Sequence, residues 1–522
     1  MTTTTSKAAS SASSASEAAA TVAGQFRRTP AVRAAIQTIV SEAQKHAAQI
    51  TDVRGPKSPE LKVEFDALMD TAAKVRGRGL LYPYIASGLG HGPLVELVDG
   101  SVKYDMIAGI GVNFFGHSDP ELMACALEGA TSDTVQQGHL MLNDEAILFN
   151  KVVVEEASKR SNLRHAFLCN SGAMANENAL KVCYQKHAPA SRVLAFAHCF
   201  MGRSVTMAQI GDSAAGRQGI PLSTLVDYLP FYDHVAARRM SAGDVSGPTR
   251  YIDMVCYHLE QAIERYPKQH ACMIFELVQG EGGFNTALPD FHRALMSICK
   301  AHKIAVWDDE VQTFGRTESM FCFDALGLGD MVDVCCIGKM SQVCAALYTA
   351  EYNPQPGLLS GTFLGGSVEL KVGRRIIERL RDGSYYGPSG SIRQHHEVFV
   401  KHVRDMACKH PQWFPHNPLV HDIAAGYGGM MRFTPFAGEK DPIMKLCRVL
   451  YDEGVVAFYC GHGPYHVRFL PPLGVMKLDQ WTRVFELVES AIGKVAAALP
   501  PHKGAALRPM HRPFTAEADA TG

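Results

Sequence analysis

Ile304 to Thr317 reads IAVWDDEVQTFGRT. Its opening residues form a short apolar run, the mark of a buried parallel strand. The run stops at three carboxylates, Asp308, Asp309 and Glu310, with Val311 and Gln312 behind them. Parallel α/β sheets bind ligands beyond the carboxyl ends of their strands, so this acidic edge is expected to face a site. Adjacent strand side chains point to opposite faces, so Asp308 and Asp309 cannot both face it. The offset from Asp309 to Gln312 suits a strand that has begun to turn. A second apolar run, Val332 to Ile337, delivers Gly338 and Lys339 to the same edge.

At 522 residues, with 47% hydrophobic and 20% charged side chains, the composition is that of a globular protein large enough for more than one packed unit. Fifty-one basic and 52 acidic residues leave a formal net charge of −1. That balance carries no electrostatic footprint for nucleic acid or a membrane surface. No apolar run is long enough to span a bilayer. The 14 cysteines lack a CxxC pair and imply reduced thiols in a cytoplasmic setting. The 22 histidines show no HExxH or paired Cys/His spacing, so no metal site is expected.

Residues 1–28 begin with a Ser/Thr/Ala-rich leader, read as disordered, and 500–522 read as a loose tail. Residues 29–121 are expected to open a small domain with two helices, Thr29 to Ala48 and Ser58 to Val75, capped by Thr29 and Ser58. A hairpin turning at Asp99-Gly100 follows. Residues 122–366 alternate helices with apolar runs, as expected of βαβ units. The strand candidates there are His165–Cys169, Val193–Ala197, Cys272–Val278, Ile304–Asp309, Val332–Ile337 and Ala345–Ala350. A long charged helix from Val368 to Leu380 opens 367–499, a mixed region read as the second part of the small α+β domain.

An acid at one strand end and a lysine at a neighbouring one suit pyridoxal phosphate, which takes a lysine and an acid partner for its pyridine nitrogen. Asn170-Ser171-Gly172-Ala173 is a glycine turn opening a helix, a place that suits a phosphate but equally a plain tight turn. Phe200 could stack on a flat ring and Arg203 could clamp a carboxylate; a core Phe and a solvated Arg are the simpler readings. Glu276 and Glu281, in ELVQGEGG, sit around a glycine turn at a strand end. A buried acid there needs a cationic partner or a raised pKa. Arg468 is a candidate partner, although nothing in the sequence alone pairs them. His117 reads as a loop hydrogen-bonder, Cys335 and Cys336 as core residues, and Tyr82 and Tyr84 as either mouth or surface residues.

Eight motifs recur in a fixed order: DGSVKYD with FFGH after it, NSGAMANENALK, CFMGRS, ELVQGEGG, DDEVQTFGRT, IGK, GTFLGG and VRFLPPL. Together they make the chain, from about Val95 to Leu487, resemble the class III pyridoxal-phosphate aminotransferases of fold type I. GAMANENALK and GKMSQVCA are most similar to lysine 6-aminotransferase and 4-aminobutyrate aminotransferase. The resemblance implies an α/β large domain with a mainly parallel sheet, plus a smaller α+β domain built from the N- and C-terminal segments. It makes Lys339 the Schiff-base lysine, Asp309 the partner of the pyridine nitrogen and Gln312 the contact to the ring hydroxyl. Gly172 and Ala173 would hold the phosphate, Phe200 would stack on the ring, and Thr362 would reach in from a second subunit of a homodimer. Arg203 would read the substrate's distal carboxylate. Arg468 would bind the 2-oxoacid and otherwise pair with Glu281, with Glu276 nearby.

The implied reaction moves an ω-amino group, as of lysine, ornithine or 4-aminobutyrate, to 2-oxoglutarate. A racemase, epimerase or aminomutase of the same fold is the alternative. Three departures from the family pattern stand out: Met201 for a histidine, Leu277 for a proline, and one glycine fewer in DEVQTFGRT.

Overall fold

The computed structural model describes residues 21–132, 136–241 and 244–499. Most of the expected leader and all of the tail lie outside the described residues. The leader's last part is helical rather than irregular: helix α1 spans Val22–Arg28, started by the Thr21 hydroxyl, which accepts from Gly24 N. Helices α2 (Pro30–Ala47) and α3 (Pro59–Arg76) follow as expected. Ser58 caps α3 by accepting from Leu61 N, but the Thr29 hydroxyl donates back to Gln25 O and caps nothing. It closes the preceding helix instead.

Strands β1 (Ala86–His91), β2 (Leu94–Leu97) and β3 (Val102–Asp105) form an antiparallel meander. Val455–Val456 joins β3 in parallel, so the N-terminal sheet is completed from the C-terminal part of the chain.

The central sheet has seven strands: β4 (Leu163–Cys169), β5 (Arg192–Phe196), β6 (Leu225–Leu229), β7 (His270–Phe275), β8 (Ala305–Glu310), β9 (Val334–Ile337) and β10 (Cys344–Thr349). Their order is β4-β10-β9-β8-β7-β5-β6. All pairs are parallel except those made by β10, which runs antiparallel to both neighbours. The connection from β9 to β10, residues 338–343, is too short for a parallel crossover. β6, LVDYL, was not among the expected strands. It is an edge strand with no apolar run, held by Asp227, which accepts two 2.7 Å bonds from Arg192 and one of 2.8 Å from His270. The expected strand Cys272–Val278 ends at Phe275, and only Val278–Gln279 pairs beyond the break.

Strands β7, β8 and β9 are buried on both faces, which is why they read as continuous apolar runs. Helix α4 (Gly172–His187) packs across β7, β9 and β10, and α5 (Ser367–Asp382) realises the expected charged helix. The C-terminal region carries an antiparallel sheet of β11 (Ala424–Tyr427), β12 (Met430–Phe433), β13 (Phe458–Cys460) and β14 (His466–Phe469), in the order β11-β12-β14-β13. No helix among the described residues is long and apolar enough to cross a membrane.

Candidate active site

The parallel strands end at one edge, where register sets the geometry. Asp309 lies opposite Cys336 on β9, and Lys339 follows three residues beyond. β8 stops at Glu310, and the chain turns there, so Gln312 returns to the same side as Asp309. A cavity of about 300 Å³ opens at this edge, lined by Gly172, Ala173, Phe200, Arg203, Glu276, Glu281, Asp309, Gln312 and Lys339 among others. Nine of the eleven expected site residues therefore share one cavity. Arg468 lies just behind it, and Thr362 is not part of its lining.

Asp309 is buried and held on both oxygens: Val311 N donates to Oδ1 at 2.9 Å and Asn176 Nδ2 to Oδ2 at 2.8 Å. Burial pushes its pKa up, while these two bonds and the Lys339 ammonium pull it down. Asn176, which sequence reasoning missed, also donates to Met201 O. The signal was there: it stands one helical turn after Gly172, on the same face of α4. Burial lowers the pKa of Lys339 against the pull of Asp309 and Glu281. Its backbone sits at φ 53°, in the left-handed region that a lysine rarely adopts.

Asp308 takes the opposite face, as strand alternation requires. Burial and the neighbouring carboxyl of Glu310 hold its pKa well above the usual range. Glu310 in turn accepts from Cys322 N, Phe323 N and the Thr313 hydroxyl. Glu310 thus anchors the turn that presents Gln312. Arg316 is another missed residue. Fully buried, it donates to Gly111 O and Pro471 O, tying the turn to both terminal segments.

Glu276 and Glu281 resolve the choice between a cationic partner and a raised pKa in opposite ways. Glu281 meets Arg468 at 2.7 Å. Glu276 makes no ion pair among the described residues; it accepts from Phe200 N at 2.9 Å and Gly280 N at 3.1 Å, and burial pushes its pKa up to about 8. A raised folded-state pKa gives stability that is full below the unfolded value and is lost as pH rises through the folded one. Glu276→Gln is therefore expected to flatten the decline in Tm of the wild type between about pH 5 and pH 8. Parallel Tm curves for the two proteins would remove Glu276 as a buried proton holder.

The residues fit pyridoxal phosphate on several counts. Ser171 caps α4 by accepting from Met174 N, leaving the first amides of the helix directed at the cavity. Gly202, at φ 123°, brings its loop so close that a Cβ there would lie 2.7 Å from the Ala173 side chain. Gly280 likewise leaves room for the Gln312 amide, 2.5 Å from where its Cβ would stand. Gln312 Oε1 and Asn176 Oδ1 are buried acceptors with no donor among the described residues. Met201 and Leu277, two of the departures from the family pattern, are buried, and Met201 is part of the cavity lining, where it puts a thioether in place of an imidazole. His117 bonds Asp105 at 3.0 Å, Tyr82 donates to Ala457 O, and Cys335 and Cys336 are fully buried.

The profile of the family "Aminotransferase class-III" matches residues 82–492. A mitochondrial acetylornithine aminotransferase from Eremothecium gossypii is 24% identical over 408 residues, 76% of this chain and 87% of that relative. A 4-aminobutyrate aminotransferase from Mycobacterium leprae is 25% identical over 449 residues, 82% of this chain and 94% of that relative. Among solved structures, the lysine aminotransferase from M. tuberculosis superposes with a TM-score of 0.70 at 21% identity, over 82% of this chain and 99% of that one. An ornithine aminotransferase from Toxoplasma gondii, TM-score 0.67 at 19% identity over 85% of this chain and 99% of that one, is described with pyridoxal phosphate at its active site. With the family profile spanning most of its length, this chain belongs to the class III aminotransferases and is a pyridoxal-phosphate-dependent transaminase.

Proposed function

We propose that the enzyme moves the ω-amino group of an amino acid such as lysine, ornithine or 4-aminobutyrate to 2-oxoglutarate, giving an aldehyde and glutamate in two half-reactions. The observation that carries this reading is the Glu281–Arg468 pair, 2.7 Å long, beside a cavity that also holds Arg203. While Glu281 neutralises Arg468, the inner end of the site accepts the uncharged methylene next to an ω-amine. When Glu281 withdraws, Arg468 offers its fork to the carboxylate of a 2-oxoacid. Arg468 is fully buried whereas the Glu281 side chain is one-third exposed, so Glu281 is the partner free to move. The relatives named for acetylornithine and 4-aminobutyrate support the same donor class.

In this reading Gly172 and Ala173 hold the phosphate, Phe200 covers the ring, Gln312 bonds the ring hydroxyl and Asp309 keeps a proton on the ring nitrogen. Bound there, pyridoxal phosphate supplies the electron sink for the bond that breaks. Lys339 Nζ, its pKa lowered by burial, takes the proton from the carbon bearing the amine and returns it on the other side of the reaction. Thr362 completes the phosphate site of a second copy in a homodimer. Its neighbours support that role: Phe363, Leu140 and Met141 are exposed apolar side chains, and His139 N bonds Gly361 O in the same surface.

The test mixes the holoenzyme with L-glutamate, L-lysine, L-ornithine or 4-aminobutyrate singly, and then adds 2-oxoglutarate. Loss of the yellow colour with an ω-donor, its return with 2-oxoglutarate and the appearance of glutamate are expected. Inversion of the amino acid without glutamate would overturn the transfer to 2-oxoglutarate and favour an epimerase. Arg203→Ala is expected to raise KM for a carboxylated donor by about tenfold to a hundredfold, the loss of one charge-assisted contact. KM for a simple alkyl amine should stay near the wild-type value, and an equal effect on both would remove Arg203 from substrate recognition.

A further inference from the structure

Asn176 lies inside α4, only 2% exposed, and its amide can point one way alone. Nδ2 is 2.8 Å from the backbone oxygen of Met201, which only accepts, so nitrogen must face it. The same nitrogen is 2.8 Å from Oδ2 of Asp309. With Val311 N on Oδ1, both carboxyl oxygens of Asp309 face donors, an arrangement that favours the ionised form. Oδ1 of Asn176 is left as a buried acceptor with no donor among the described residues. An unmet buried acceptor is costly, so the two bonds from Nδ2 are what hold an amide this deep.

α4 meets the loop 199–204, which carries Phe200 and Arg203, at three places. A Cβ on Gly202 would lie 2.7 Å from the Ala173 side chain. Asn176 bonds Met201 O, and the Ser204 hydroxyl donates to Glu177 at 2.6 Å. Of these helix residues, Asn176 alone also bonds Asp309. The titratable groups facing Asp309 are Lys339, Glu276 and the thiols of Cys199, Cys336 and Cys344. Only Lys339 among them is a cation. In the reading above the cofactor engages Lys339, whereas the bonds from Val311 and Asn176 stay in place.

We propose that Asn176 is a positioning residue for the reaction. Its amide keeps the Asp309 carboxylate ionised toward the cofactor's ring nitrogen and locks that acid to the loop carrying Phe200 and Arg203. The inference rests on the reading of Asp309 as the partner of that nitrogen.

The test loads wild type and variants with pyridoxal phosphate labelled with nitrogen-15 in the ring and compares the chemical shift of that nitrogen at one pH. Wild type is expected to give the signal of a protonated ring nitrogen. Asn176→Leu, similar in size but without donors, is expected to move the signal toward that of an unprotonated ring. Its rate of proton abstraction should fall about tenfold to a hundredfold, the loss of one charge-assisted bond. KM for a simple alkyl amine should change little. If Asn176→Leu does not fold, Asn176→Ala carries the same comparison. A lowered Tm with an unchanged nitrogen signal would make Asn176 merely structural and overturn the inference. Asp309→Asn separates the two readings. If it moves the signal and the Asn176 variant does not, the role of Asn176 falls alone. If Asp309→Asn also keeps the wild-type signal, the reading of Asp309 falls and takes the inference with it.

Discussion

Lys339→Ala is expected to abolish turnover, with a loss on the order of 10⁴-fold or more, and to remove the yellow colour of the lysine-bound cofactor. Two roles disappear together, because one amine both anchors the cofactor and moves the proton. The surroundings leave no substitute: the charged side chains that act on Lys339 are Asp309, Glu281, Glu276 and Arg468, three acids and a guanidinium. None is an amine with a lowered pKa. The alanine keeps the same Cβ at this left-handed backbone position and adds no strain there, so the variant is expected to fold, and a far-ultraviolet spectrum like that of wild type would document it. Retained multiple turnover would sink the assignment of Lys339.

The second large effect belongs to Asp309→Asn. Cofactor binding is expected to survive, while the rate of proton abstraction falls by roughly 10² to 10³-fold. The charge that keeps the ring nitrogen protonated is gone. An asparagine also brings an NH2 group against Val311 N or Asn176 Nδ2, both of which donate to Asp309. Asp308→Asn is the natural contrast. Asp308 lies on the other face, buried beside Glu310, so its loss should be read in Tm rather than in rate. Near-normal rates for Asp309→Asn would show that the acid partner had been misplaced.

Much of the site could be read in one dimension because strands of a parallel sheet end together. An apolar run followed by acids, and another followed by Gly-Lys, already placed Asp309 and Lys339 at one edge. Alternation along β8 already separated Asp308 from Asp309, and the structure puts them on opposite faces. The edge strand β6 escaped because its stability comes from the Arg192–Asp227–His270 cluster and not from an apolar run. Asn176 and Arg316 escaped because a polar residue inside a helix or turn shows its purpose only when its acceptor is known.

By itself, the order of apolar runs, glycines and charged residues determined six of the seven strands of the sheet, the edge that carries the site and the identity of the chemical groups there. Those are consequences of local periodicity and of strand direction. Only the tertiary structure decided which charges meet. Glu281 could have been neutral like Glu276, but the C-terminal sheet brings Arg468 within 2.7 Å of it and leaves Glu276 with backbone amides alone. Register between β12 and β14 sets Arg432 opposite Arg468 in the ladder, yet Arg432 meets His466 and Arg468 meets Glu281. Ionisation in a buried site depends on distances of a few ångströms between residues far apart in the chain, and those distances exist only once the chain has folded.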